Sequence, residues 1–351
     1  MLSVDSMGQS GEPSKGLSRE HPSFHSELSW QKQLAAGFQN PYELLAYLGI
    51  DPHSMDVSDA AHQSFKTRVP EAFAAKMVYG DREDPLLRQV LPLSNETIEV
   101  AGYVNDPLHE AEANPVHGLL HKYPSRVLLT LTGGCAVNCR YCFRRHFDYQ
   151  TNTTGRDGLT AMLAYIRSKK EIKEVILSGG DPLLVSDNVL ETIVEGIEEL
   201  RSVEILRIHT RMPIVLPARV TPGLLNLLKK TSLKTVCVVH CNHPNEIDNS
   251  VRQCLLAMRD AGTHVLNQSV LLKGVNDDPE TLCQLSYALL NAGVLPYYLH
   301  VLDKVQGAAH FDLNDKEALA IHHAMRKKLP GYLLPRLVRE VAGELSKMPI
   351  Y

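Results

Sequence analysis

The sequence predicts an α/β protein whose main body is a partial (β/α)6 barrel, and three observations carry that prediction. Six short runs rich in leucine and β-branched residues recur from Arg126 onward, at 126–132, 174–178, 205–210, 235–241, 264–271 and 296–302. Each is followed by apolar residues at helical spacing, near 158–168, 187–200, 222–230, 247–261, 280–292 and 315–328, the alternation of a parallel sheet with crossover helices. In the third run Arg207, His209 and Arg211 alternate with Leu206, Ile208 and Thr210. Helices cover the outside of such a sheet, so the polar set points into the lumen. In the fourth, if His240 faces inward, Cys237, Val239 and Cys241 fill the core.

The other segments follow in order. Residues 1–29 are polar, rich in Ser, Gly, Glu and His, without the apolar stretch of a signal peptide, and predict a disordered start. Residues 30–113 carry apolar side chains at helical spacing, as in Tyr42, Leu44, Leu45, Tyr47 and Leu48, punctuated by Pro and Asp, and predict a small helical lead-in domain. The barrel is assigned to 114–329 and a C-terminal tail to 330–351.

Composition narrows the function. With 36 basic and 40 acidic residues in 351, the formal net charge is −4, which implies no general attraction to nucleic acid or anionic lipid. Seven irregularly spaced cysteines argue against a disulfide framework and for a reducing, cytoplasmic setting. No run of about 18 apolar residues predicts a membrane helix.

The chemistry is concentrated at Gly134-Cys135-Ala136-Val137-Asn138-Cys139-Arg140-Tyr141-Cys142, a C-x3-C-x2-C loop just after the first run. A structural zinc wants four ligands in a closed shell, whereas an iron–sulfur cube held by three thiolates leaves one iron open. A zinc loop completed from elsewhere and a simple electron carrier remain alternatives. Ser178-Gly179-Gly180-Asp181-Pro182 closes the second run; its glycines allow close backbone approach, and C-terminal strand ends are where barrel enzymes work.

This pairing, with Tyr141 just before the third cysteine, resembles the radical S-adenosylmethionine (SAM) superfamily. The resemblance implies a [4Fe-4S] cluster on Cys135, Cys139 and Cys142, whose open iron binds SAM and whose reduction cleaves it to a radical. It further implies that Ser178, Gly179, Gly180 and Asp181 meet SAM, with His240 and Gln268 touching it.

A narrower similarity rests on His121-Lys122-Tyr123-Pro124-Ser125-Arg126, Phe143-Arg144-Arg145-His146-Phe147, Asn242-His243-Pro244-Asn245-Glu246, Asn267-Gln268-Ser269-Val270-Leu271-Leu272 and Tyr297-Tyr298-Leu299-His300-Val301-Leu302-Asp303. These resemble the lysine 2,3-aminomutase family, in particular its shorter branch, which makes β-lysine for modifying elongation factor P. The likeness runs from about residue 85 to the C-terminus. It implies pyridoxal phosphate (PLP) on Lys347 and a tail folded over the barrel mouth, because the PLP aldehyde must be held on a lysine and passed to the substrate. It places Lys122, Tyr123, Arg126 and Arg211 around the PLP phosphate, Arg144 on the substrate carboxylate, and Asp303 and Glu340 around the ε-ammonium of L-lysine. An external reductant, elongation factor P and its lysine ligase are the implied partners.

Departures from the longer members are Ala342-Gly343-Glu344-Leu345-Ser346 in place of a glycine run, Glu340 in place of Asp, and Asp278 in place of a zinc-binding cysteine. They predict a reshaped amine pocket, no structural zinc and a smaller assembly. Other readings are a radical SAM enzyme acting on RNA or on another amino acid, and a non-catalytic iron–sulfur or zinc protein. The RNA reading predicts a basic face.

Overall fold

The computed structural model describes residues 28–147 and 156–351. The polar start lies outside the described residues except for its last two, and there Ser29 is ordered: it caps helix α1 (Trp30–Ala35) by accepting from the Lys32 amide. Four more short helices build the lead-in segment, α2 (Pro41–Tyr47), α3 (Asp59–Ser64), α4 (Glu71–Ala74) and α5 (Pro85–Arg88). Asn40, Ser58 and Asp84 cap three of them through their side chains, and proline opens α2 and α5, where its missing N–H costs no hydrogen bond. Leu44, Leu45, Phe73, Leu86 and Leu87 are buried in the same hydrophobic cluster as the barrel strands.

One sheet organises the rest, with strands in sequence order: β1 (Leu119–Tyr123), β2 (Arg126–Thr132), β3 (Glu174–Gly179), β4 (Ile205–Thr210), β5 (Lys234–Val239), β6 (His264–Val270), β7 (Leu295–His300), β8 (Arg336–Arg339) and β9 (Met348–Pro349). Strands β2 to β8 are parallel, and the edge strands β1 and β9 are antiparallel to their neighbours. The six expected strands are β2 to β7, each within two residues of its expected bounds. A seventh parallel strand, β8, lies in the segment assigned to the tail.

Helices α6 (Arg156–Arg167), α7 (Asp187–Glu198), α8 (Met212–Val215), α9 (Pro222–Lys230), α10 (Asn249–Asp260), α11 (Pro279–Asn291) and α12 (Asp315–Arg326) complete the crossovers. Val175, Leu177, Leu206, Ile208, Cys237, Val239, Val265, Leu299 and Leu337 join the apolar faces of these helices in the core. The alternate strand residues Ile176, Arg207, His209, Gln268, Tyr298 and His300 face a central cavity. The structure is a partial TIM-like barrel with a polar lumen. No helix among the described residues is long and apolar enough to cross a membrane.

Strand β9 pairs with β8 through Val338↔Pro349 and Arg339↔Met348. The chain end thereby folds back and carries Lys347 to the cavity mouth.

Candidate active site

A cavity of about 300 Å³ sits at the C-terminal ends of the parallel strands, and every site residue singled out in the sequence lines it. Cys135, Cys139 and Cys142 come from the loop after β2; Ser178, Gly179, Gly180 and Asp181 from the end of β3; Arg211 and His240 from the ends of β4 and β5. Gln268 is on β6, Asp303 follows β7, Glu340 follows β8, and Lys122, Tyr123 and Arg126 belong to β1 and β2.

The glycines serve first to join two loops. Gly180 donates to Thr132 O, and Asp181 N donates to Gly134 O at 2.7 Å, which pins the cysteine loop to the end of β3. A Cβ on Gly180 would lie 2.0 Å from Gly134 O, and Gly179 has a φ of +106°, a conformation costly for any other residue. Gly180→Ala must therefore displace the cysteine loop. We expect a loss of about 1–3 kcal/mol of stability and of iron uptake after anaerobic reconstitution, measured by denaturant unfolding and iron content; wild-type values for both would refute this.

Two site residues are held by dense contacts within the protein. The Asp181 carboxylate accepts from Thr210 Oγ1, the Leu183 amide, and the Arg211 and Met212 amides, so it organises the ends of β3 and β4. The Arg211 guanidinium turns to the cysteine loop: it donates to Cys139 Sγ, the Tyr141 hydroxyl, Gln89 and Glu246.

Burial and mutual repulsion push the Cys135 thiol well above its usual range and the Cys142 thiol up to about 11. Such thiols ionise only when a cation joins them, which fits iron as their ligand. Among the described residues no three His, Cys, Asp or Glu side chains converge as a single-ion site requires; a cube, which takes each thiolate on a different iron, makes no such demand.

Across the cavity lies a chain of alternating charge. Lys347 Nζ donates to Glu340 Oε2 at 2.5 Å and stands 5.8 Å from the Tyr298 ring centroid. Glu340 also accepts from the Tyr123 hydroxyl at 3.3 Å and lies 3.9 Å from Lys122, so one carboxylate after β8 spans the gap to β1. Lys122 donates to Glu110, which takes Arg144 in a two-pronged pair, Nε at 2.6 Å and Nη2 at 2.9 Å. Arg144 Nη1 reaches Ser178 Oγ and Gly179 O. Burial alone would raise the Glu110 carboxyl, but Arg144 and Lys122 hold it down at about 2. Asp303 moves the other way: burial and the nearby Glu340 charge raise it to about 7 despite Lys347.

Three imidazoles, His209, His240 and His300, line the lumen, and burial keeps all three neutral. His240 Nε2 and Gln268 Nε2 lie 2.5 Å apart. Among the described residues eight buried side-chain atoms have no hydrogen-bond partner, and five belong to cavity residues: Nε of Arg126, Arg207 and Arg211 and Nε2 of His209 and His300. Orphaned donors cost free energy unless a polar ligand meets them, so this concentration marks a site built for polar groups.

Glu110 and the network around Arg211 are not apparent in the sequence. Neither is Glu96, a buried carboxylate that joins Arg140 and Arg145 beneath the cysteine loop. His310 lies in a helical turn over Ala309–Phe311, its ring 4.0 Å from that of Phe311 and its Nδ1 buried. The adjoining Gly307 accepts from Arg145.

A three-cysteine loop, a glycine strand end locked against it and a polar partial barrel define a class of enzyme, and residues 129–285 match the model of the radical SAM superfamily. The chain is 46% identical to the L-lysine 2,3-aminomutase of Escherichia coli (strain K12), over 93% of its own length and 95% of that protein's. It is 44% identical to that of Haemophilus influenzae, over 93% and 97%, and 36% identical to that of Clostridium subterminale, over 92% and 77%. The protein belongs to the lysine 2,3-aminomutase family, isomerases of the radical SAM superfamily.

Proposed function

We propose that this protein moves the α-amino group of L-lysine to the β carbon, using SAM, a [4Fe-4S] cluster and PLP. The observation that carries the reading is the convergence of Lys347, from the chain's last strand, on the same cavity as Cys135, Cys139 and Cys142. The cysteines hold the cluster; Ser178, Gly179, Gly180, His240 and Gln268 face SAM; Lys347 holds PLP, with Lys122, Tyr123 and Arg126 turned to its phosphate. When bound, the cluster and SAM supply a radical and PLP supplies the conjugated system over which nitrogen migrates.

The chain's own residues position the substrate. Arg144, oriented by Glu110, takes the α-carboxylate, and Asp303 with Glu340 takes the ε-ammonium. Paired carboxylates in a buried pocket favour a cation between them, which selects lysine over an acidic amino acid. Neutral lumenal histidines and a tail over the mouth limit water around reactive species. The formal net charge of −4 and these acidic groups give RNA little to bind. Asp278 caps α11 by accepting from the Glu280 and Thr281 amides, which suits a branch without structural zinc. The resemblance to the short branch supports elongation factor P and its lysine ligase as the product's destination, in a cytoplasm that suits the free thiols.

The test is anaerobic incubation of reconstituted protein with L-lysine, SAM, PLP and a reductant. β-Lysine is the expected product, and none forming with both cofactors loaded would overturn the reading.

Asp303 gives this pocket a pH dependence. In the free protein it is protonated below about 7, while Glu340, which burial would raise, is held down by Lys347 and stays ionised. The lysine ammonium binds best to an ionised Asp303, so binding below that value must first remove a proton. Affinity is expected to weaken by up to about tenfold per pH unit below about 7 and to level off above. Calorimetric titration of lysine into PLP-free protein, in which Lys347 keeps its ammonium, checks this, and Asp303→Asn is expected to lose the weakening below about 7.

A further inference from the structure

Arg211 stands at the end of β4 and is 6% exposed. Its Nη1 donates to Cys139 Sγ at 2.7 Å and to the Tyr141 hydroxyl at 2.9 Å, and its Nη2 to Gln89 Oε1 at 2.6 Å and Glu246 Oε2 at 2.9 Å. Glu246 is fully buried and is fixed in turn by the Asn242 and His243 amides and Gln89 Nε2. The Tyr141 hydroxyl also accepts from Asn242 Nδ2 at 2.7 Å. A charged donor is thus held rigidly against the sulfur of Cys139, with its counter-charge on the far side of the guanidinium.

We propose that Arg211 sets the reduction potential of the cluster by donating a charged hydrogen bond to Cys139, and that Glu246 moderates that charge. The inference rests on reading Cys135, Cys139 and Cys142 as the cluster's ligands. In the step concerned, one electron passes from an external reductant to the cluster, and no bond forms or breaks in the protein. The added negative charge spreads onto the thiolate sulfurs. A cation in contact with one of them stabilises the reduced cluster more than the oxidised one and raises the potential, as hydrogen bonds to cluster sulfurs do generally. Burial keeps water from screening the effect. Glu246 partly cancels it, so the two residues act with opposite sign.

The experiment is an anaerobic redox titration with dithionite, followed by electron paramagnetic resonance, on full-length protein reconstituted with iron and sulfide, without SAM or lysine. Iron content is measured on the same samples. Arg211→Met is expected to shift the potential to more negative values, Arg211→Lys to shift it less, and Glu246→Gln to shift it to more positive values. A structural role alone would not produce shifts of opposite sign at full iron content. An Arg211→Met protein with wild-type iron and wild-type potential would overturn the proposal. If that variant fails to hold iron, Glu246→Gln decides: a positive shift supports the proposal and an unchanged potential overturns it. Failure of the wild-type protein to take up iron would overturn the cluster reading itself, and is visible in the iron content, separately from any potential.

Discussion

Lys347→Ala is expected to remove the near-visible absorbance of lysine-bound PLP and to lower β-lysine formation by at least about 10³-fold, a loss typical when a unit of catalytic machinery is deleted. Iron content should stay at the wild-type level. The argument is geometric. Lys347 reaches the cavity from the β8–β9 turn, where Leu345 is 68% exposed, so truncation there removes little packing and the fold is not what fails. Its ammonium partners are Glu340 and the Tyr298 ring, both of which remain in place, with Lys122 3.9 Å from Glu340 to offset its charge. A variant that keeps the absorbance, or turns over lysine at a comparable rate, would remove PLP from Lys347 and with it the proposed chemistry.

The largest stability effect is expected at Glu96. Its carboxylate takes Arg140 Nε at 2.8 Å and Arg145 Nη2 at 2.8 Å, and all three residues are buried. Arg140 also donates to the Phe65 and Ala61 carbonyls, and Arg145 to those of Arg140 and Gly307. Glu96→Ala leaves two guanidinium charges in the interior without their counter-ion. Breaking a buried pair on one side costs about 3–5 kcal/mol, read as a lowered denaturant midpoint. Because Arg140 sits between Cys139 and Tyr141, iron uptake should fall with it. Replacing Glu96, Arg140 and Arg145 together by apolar residues of similar volume is expected to recover most of the stability, since the triad's cost lies in desolvation. An unshifted midpoint for Glu96→Ala would show that water reaches the arginines.

The parallel strands are legible because their outer faces must bury branched side chains whatever the lumen holds; Val175, Leu177, Leu206 and Ile208 announce themselves locally. Strand β8 is not legible, being four residues behind Pro335 in a stretch that reads as tail. Nor is β1, whose His121-Lys122-Tyr123 carries polar groups because an edge strand faces both solvent and cavity. The cysteine loop and the glycine strand end are visible from spacing, whereas Lys347 and Arg144 emerge only through family resemblance. Glu110 is hidden for a physical reason. It lies in an acidic segment that reads as solvated, and its burial is decided by Lys122 and Arg144, 12 and 34 residues away. Arg211 is seen as a site residue, but its contacts with the cysteine loop are not, because a strand-end arginine reveals its length and charge but not which way its fork turns.

The division of the sheet into an apolar outer face and a charged inner one has a consequence for how such a catalyst can diversify. The groups proposed to meet the ε-ammonium, Asp303 and Glu340, lie outside the hydrophobic cluster that holds strands to helices. Substitutions among them change the charge and shape presented to an amino acid without opening voids in the core. Specificity and foldability are therefore nearly separate variables in this architecture, and a lineage can drift from one amino acid to another along paths that destabilised intermediates do not block.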